Sequence, residues 1–324
     1  MRQSKLLPVR TTVAPAGVRA ADWQRVARLE PADAETWTVV DVIDALRSIR
    51  GWYRDLARTD ERALNGVYWF NEFYVGVTEG VEREVRPHLA LMDEPSAVFL
   101  RRLDVEFYER YRRALTSVGP GSAWQTLFRD CNREGRHPLQ WAMEGIHAHI
   151  VGDLAPAVVK TLRDLGGRTE FPGPDSLEHR AFTRVNQALY RVASRMLRGP
   201  AAATGFPALA NAVVPREIAH LVDGYIRILR EEAWIQAGLL WNVWDSPDRE
   251  EIVDGLGVHA AWYAREIADI VPIRRHLDFE TVGGWLDLVL RDRGRRLGRA
   301  GRGVDRLLGG LRSAVLRTPL PARS

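Results

Sequence analysis

Apolar residues in this chain recur at steps of three and four, and almost nowhere in strict alternation. Val39, Val42, Ile43, Leu46, Ile49, Tyr53 and Leu56 set the pattern. It returns in Leu64, Val67, Tyr74, Val77, Val81 and Val85, and again in Phe99, Leu103, Phe107, Tyr111 and Leu115. That period lays an apolar stripe along one side of a helix, whereas a half-buried strand needs a period of two. No stretch of useful length offers the strand pattern, so the expected class is all-α. The length suits a single multi-helix domain of about eight to ten helices.

Punctuation residues divide the chain. Residues 1–35 are polar, contain Pro8, Pro15 and Pro31, and read as an N-terminal extension. Residues 36–300 form the expected helical core domain. Residues 301–324 form a basic tail in which Val304, Leu307, Leu308, Leu311, Val315 and Leu316 trace an amphipathic helix, weakened by Gly309-Gly310. Within the core, Asp60 is expected to begin the second helix and Ser96 to cap the third, which Gly119-Pro120-Gly121 stops. A short helix follows around Trp124–Phe128, then helices over 177–197 and 217–244. Ser246-Pro247-Asp248 caps one running to about Ile270, and another spans 278–289. Gly199–Pro207 is a linker of small residues, with equally apolar helices on either side.

Composition narrows the function classes. Hydrophobic residues at 46% and charged residues at 27% describe a globular chain rather than a disordered one. No apolar run is long enough to span a bilayer, so no transmembrane segment is expected. The N-terminal residues lack the apolar core of a secretory signal, and the single cysteine, Cys131, offers no disulfide framework. The expected location is the cytoplasm. Residues 291–324 hold ten arginines against two aspartates and the remainder is slightly acidic, so no nucleic-acid face emerges. Lysine is confined to Lys5 and Lys160, a bias that points to a GC-rich genome.

The stretch Pro138–Leu154 is where chemistry concentrates. It reads as one of the most buried helices, yet carries Glu144, His147, His149 and Asp153. A buried ionisable group demands a partner, a hydrogen bond or a metal. His149 and Asp153 are one turn apart, as are Glu144 and His147. Pro156 is expected to kink or break the helix just beyond Asp153.

Three segments resemble the bacterial domain-of-unknown-function family DUF5995, which is common in actinobacteria. They are Phe70–Thr78, Phe99–Val105 and, most specifically, Pro138–Leu154. The likeness covers roughly residues 38–300 and implies one helical domain of uncharacterised activity. In the family pattern the central helix reads Asn-Ala-His-Ile-Asn-x-Asp-Leu. His149 and Asp153 match it, and His147 and Val151 stand where asparagines are usual. His149–Leu154 is also similar to the His-x-x-x-Asp segment of zinc-dependent phospholipase C. The further histidines and the N-terminal tryptophan of those enzymes are missing here.

Two chemistries fit these residues. A carboxylate one turn from an imidazole holds its tautomer and suits it to proton transfer, which nominates His149 and Asp153, with Glu144 or His147 assisting. The eleven tryptophans and their aromatic neighbours supply walls for an apolar guest, with Trp141, Trp69, Tyr74, Phe107 and Trp234 as the expected pocket. The leading expectation is therefore an enzyme of bacterial specialised metabolism that needs no cofactor. It would enclose an apolar small molecule and promote cyclisation or isomerisation, with Trp141 and His149 bordering one cavity. The alternative is a metal-dependent hydrolase or oxidase. Glu144-x-x-His147 and Glu217-x-x-His220 repeat the pairing by which helical bundles hold iron, manganese or zinc. A third reading, a non-catalytic binding protein, predicts a filled core. Phosphate loops, nucleophile elbows, dinucleotide fingerprints and the Asp-rich motifs of terpene cyclases are absent from the sequence.

Overall fold

The computed structural model describes residues 37–60, 63–89, 94–116, 123–132, 138–198 and 215–269. These are helical and carry no strand. In chain order the helices are α1 (Val39–Ala57), α2 (Gly66–Leu89), α3 (Glu94–Thr116), α4 (Gln125–Asp130) and α5 (Pro138–His147). A π-helical segment (Ala148–Asp153) leads into α6 (Leu154–Leu165), followed by α7 (Leu177–Arg198), α8 (Pro215–Asn242) and α9 (Arg249–Asp269). The polar extension, the Gly199–Pro207 linker, the expected 278–289 helix and the basic tail lie outside the described residues.

Local chemistry sets the helix ends. Thr38 and Asp41 form a reciprocal capping box at the start of α1, an arrangement that stabilises a helix by about 1 kcal/mol. The second helix starts later than expected, at Gly66 rather than near Asp60. Asn65 is the reason, because its Oδ1 accepts from the amides of Val67 and Tyr68 at 3.0 and 3.2 Å. The third helix starts at Glu94, so Ser96 lies inside its first turn rather than capping it. Helix α9 likewise begins at Arg249, after a tight turn in which Ser246 Oγ accepts from the Asp248 amide. Gly166 and Gly167 stop α6 with φ of 69° and 73°, backbone angles that cost a side-chain-bearing residue.

Pro156 does not break the central helix. Its ring cannot donate to the carbonyl four residues back and crowds it. The chain accommodates this by widening the preceding turn into the π segment and continuing as α6. Helices α5 and α6 with the π segment thus form one continuous rod, and every residue from 141 to 152 is buried. Helices α2 and α9 pack against α5, α9, α8 and α3 against the π segment, and α8 and α3 against α6. Close approach is built into the sequence. A Cβ on Gly145 would lie 2.1 Å from the Phe70 ring, and one on Gly152 would lie 2.5 Å from Ala123 Cβ.

Candidate functional site

The π segment turns His149 towards α2 and α3, into a shell of aromatic rings. Phe107 stacks flat on the imidazole, with centroids 3.4 Å apart and 7° between planes. Tyr74, Trp124, Phe70 and Tyr111 close the remaining sides at 4.8, 5.5, 6.0 and 6.2 Å. The ring is buried, with 4% exposure. Asp153 Oδ2 lies 3.2 Å from His149 Nδ1 and also accepts the Trp124 indole N–H at 2.9 Å. The Trp124 N–H already makes Oδ2 an acceptor, and a carboxylate oxygen has no proton to give, so Nδ1 carries the proton and Nε2 keeps its lone pair. Nε2 is buried and has no hydrogen-bond partner.

Burial penalises the imidazolium and lowers the His149 pKa below its ordinary 6.5. Asp153 opposes that shift without reversing it, and Arg110 adds to it. His149 is therefore a neutral, oriented imidazole near pH 7. The hydroxyls of Tyr74 and Tyr111 are likewise buried without partners, and desolvation holds both well above the usual phenol range.

The four titratable groups of the rod do not converge. His147 faces α8 and α9 instead, where the Tyr225 hydroxyl lies 2.9 Å from Nδ1 and 3.1 Å from Nε2, and Tyr263 sits beside the ring. Glu144 is fully buried. Trp141 covers Gly66 beside Cys131. Trp234 packs among Phe99, Phe171, His179 and Phe182, and Trp69 is a partly buried neighbour of Tyr68. Of the expected pocket aromatics, Tyr74 and Phe107 surround His149. Among the described residues no three His, Cys, Asp or Glu side chains gather as a metal site. Glu217 and His220 lie on α8, and their side chains are outside the described residues.

Phe107 also lines a cavity of about 80 Å³, together with Thr78, Glu82, Asp104, Leu154 and Arg230. Trp141 and His149 do not line it; Phe107 is the residue that touches both His149 and this space. Burial, reinforced by Glu82, pushes the Asp104 carboxyl up to about 7. Arg230 donates to Asn186 Oδ1 at 2.7 Å and the Phe182 carbonyl at 2.9 Å, and burial brings it down to about 10.

The model of a family of unknown function, DUF5995, matches residues 39–270, about seven-tenths of the chain. The chain belongs to the DUF5995 family. No curated protein and no solved structure shows a significant match to it. The His149 shell and the adjoining cavity both fall inside the DUF5995 region. Sequence reasoning passed over the cavity's polar groups, although a signal was present. Asp104 interrupts the apolar stripe Leu100, Leu103 and Phe107, and Thr78 and Glu82 flank Val81 on α2.

Proposed function

We propose that this DUF5995 member is a small-molecule enzyme that promotes isomerisation or cyclisation by proton transfer, with His149 as the base. The observation that supports the reading is the His149 geometry. Its Nδ1 is fixed by an Asp153 oxygen that Trp124 also holds, its Nε2 is unpartnered, and the Phe107 ring stacked on it also lines a cavity. Such a base needs no cofactor to act on a C–H bond beside a carbonyl. Its lone pair takes the proton, the C–H electron pair moves into an enolate, and return of the proton at another carbon completes an isomerisation. In an apolar shell the neutral base is not solvated, and the fixed carboxylate stabilises the imidazolium as it forms. Phe107 covers the imidazole face while the Nε2 lone pair lies in the ring plane, so a substrate reaches Nε2 at the ring's edge once the surrounding aromatic side chains move. The aromatic walls suit an apolar carbonyl compound of the kind handled in specialised metabolism.

Deuterium uptake tests this without knowledge of the natural substrate. A panel of saturated and α,β-unsaturated ketones, incubated with the protein in D₂O, is expected to include members that gain deuterium faster than in buffer. His149→Gln is expected to reduce that gain at least about a hundredfold, the usual contribution of a positioned base. No gain above buffer across the panel, or an undiminished gain in the variant, removes His149 from this role.

A further inference from the structure

Two residues that line the cavity beside Phe107 each carry a buried polar atom whose chemistry the His149 reading does not use. Thr78 is buried, with 3% exposure, and its Oγ1 has no hydrogen-bond partner. Asp104 Oδ2 is buried and equally unpartnered. Both residues line the same space, and an orphaned buried polar atom carries a cost of about 1–3 kcal/mol that a bound group would relieve. The rest of the wall divides cleanly. Val39 on α1, Leu154 on α6 and Val185 on α7 are apolar, and Phe107 closes the floor. The charged groups are Glu82 on α2, Arg101 on α3 and Arg230 on α8. Arg230 is committed to Asn186 and Phe182, with its guanidinium 4.1 Å above the Phe182 ring.

We propose that the Thr78–Asp104 wall is a binding subsite for the uncharged oxygen, carbonyl or hydroxyl, of an otherwise apolar small molecule. The space is about half the volume of an apolar cavity known to take benzene, so it holds a head of a few atoms rather than a whole substrate. Thr78 Oγ1 both donates and accepts, and a carboxyl that holds its proton up to about pH 7 donates to a carbonyl oxygen below that pH. Asp104 keeps its proton because burial and Glu82 both disfavour the carboxylate. A carboxyl of this kind polarises the carbonyl whose neighbouring C–H a base attacks, as known isomerase sites do with a neutral aspartic acid. The inference extends the proposed function by naming the substrate's polar end. Its test reads binding alone, so failure here is separable from failure of proton transfer at His149.

The test is a titration of methyl-labelled protein with 2-butanone, followed by NMR at the Leu103, Leu154 and Val185 methyls. Saturable shifts are expected at pH 6. At pH 8.5 Asp104 is mostly ionised and the affinity is expected to fall about ten- to thirtyfold. Asp104→Asn, which still donates, is expected to bind the ketone and lose the pH dependence. Asp104→Leu is expected to weaken binding about tenfold at pH 6, and Thr78→Val by a similar factor at both pH values. Three results overturn the inference: no saturable shift, binding indifferent to both Asp104→Leu and pH, or sec-butylammonium binding more tightly than the ketone. The last would make the carboxyls a cation site.

Discussion

Replacing Asp153 is the most direct way to test whether the His149 shell is held as described. The Trp124 indole N–H at 2.9 Å and His149 Nδ1 at 3.2 Å meet the same oxygen, Oδ2. In Asp153→Asn the amide oxygen can occupy that position and keep both bonds, while the new amino group takes the other oxygen's place. The side chain is 14% exposed, so water can reach that end. What is lost is charge assistance, roughly 1 kcal/mol per bond and about 2 in all. Asp153→Ala removes the acceptor and leaves both donors unanswered inside the aromatic shell, a cost of about 1–3 kcal/mol each. The expected order of stability is wild type, Asn, Ala, with the alanine variant about 4 kcal/mol below wild type. Urea denaturation followed by tryptophan fluorescence measures this, and the Asn variant should lower the midpoint by roughly 1 M or somewhat less. Imidazole ¹⁵N shifts supply a second readout, with the Nδ1–H tautomer present in wild type and lost in Ala. Equal stability of the two variants, or a wild-type His149 protonated at Nε2, would refute the arrangement.

Four further outcomes follow from the same geometry. Below its ordinary value, the folded His149 pKa means that the unfolded chain binds the extra proton, so this group's stability is complete above about pH 6.5 and declines as pH falls through it; His149→Gln should flatten that part of a stability–pH profile. Asp104 acts in the opposite sense, because its folded pKa of about 7 lies above the ordinary 3.8 and stability is lost as pH rises between the two; Asp104→Asn should be the more stable protein at pH 8, by at most about 4 kcal/mol, in parallel urea titrations. Gly145→Ala drives a methyl into Phe70, which outweighs the better helix propensity of alanine and should destabilise by about 1–3 kcal/mol in thermal melts, whereas Gly51→Ala, with open space around it, should not. Cys131 is buried, donates to the Phe128 carbonyl and is pushed up to about 12, so native protein should resist a thiol reagent at pH 8 until denatured.

The all-α class and the course of the helices were legible because periodicity reports which face of a helix meets other helices, and that is a local property. The burial of residues 141–152 was legible for the same reason. Helix starts were less so, since Asn65 caps α2 from within a stretch that also offered Asp60, and propensity alone does not choose between two good caps. The partition of the rod's polar groups was hidden more deeply. His147 and His149 are two residues apart, but which neighbours each meets depends on how the other helices are placed around the rod. Trp124 was readable as a core aromatic and not as the second donor to Asp153, because that contact joins residues 29 apart in sequence.

The π segment ties these observations together. A proline three residues beyond Asp153 would ordinarily end the helix or bend it. Here the extra residue in the turn keeps the rod straight enough for α6 to pack on α8 and α3, while it changes the angle at which His149 leaves the axis. If that widening is what aims the imidazole at Phe107, relieving its cause should move the ring. Pro156→Ala restores the amide donor and removes the clash, which favours a regular α-helical turn. The expected result is a gain or no change in stability together with altered ring-current shifts for the His149 and Phe107 protons. Unchanged shifts in a protein whose amide pattern shows a regular helix across 148–153 would mean that the shell positions His149 without help from the backbone.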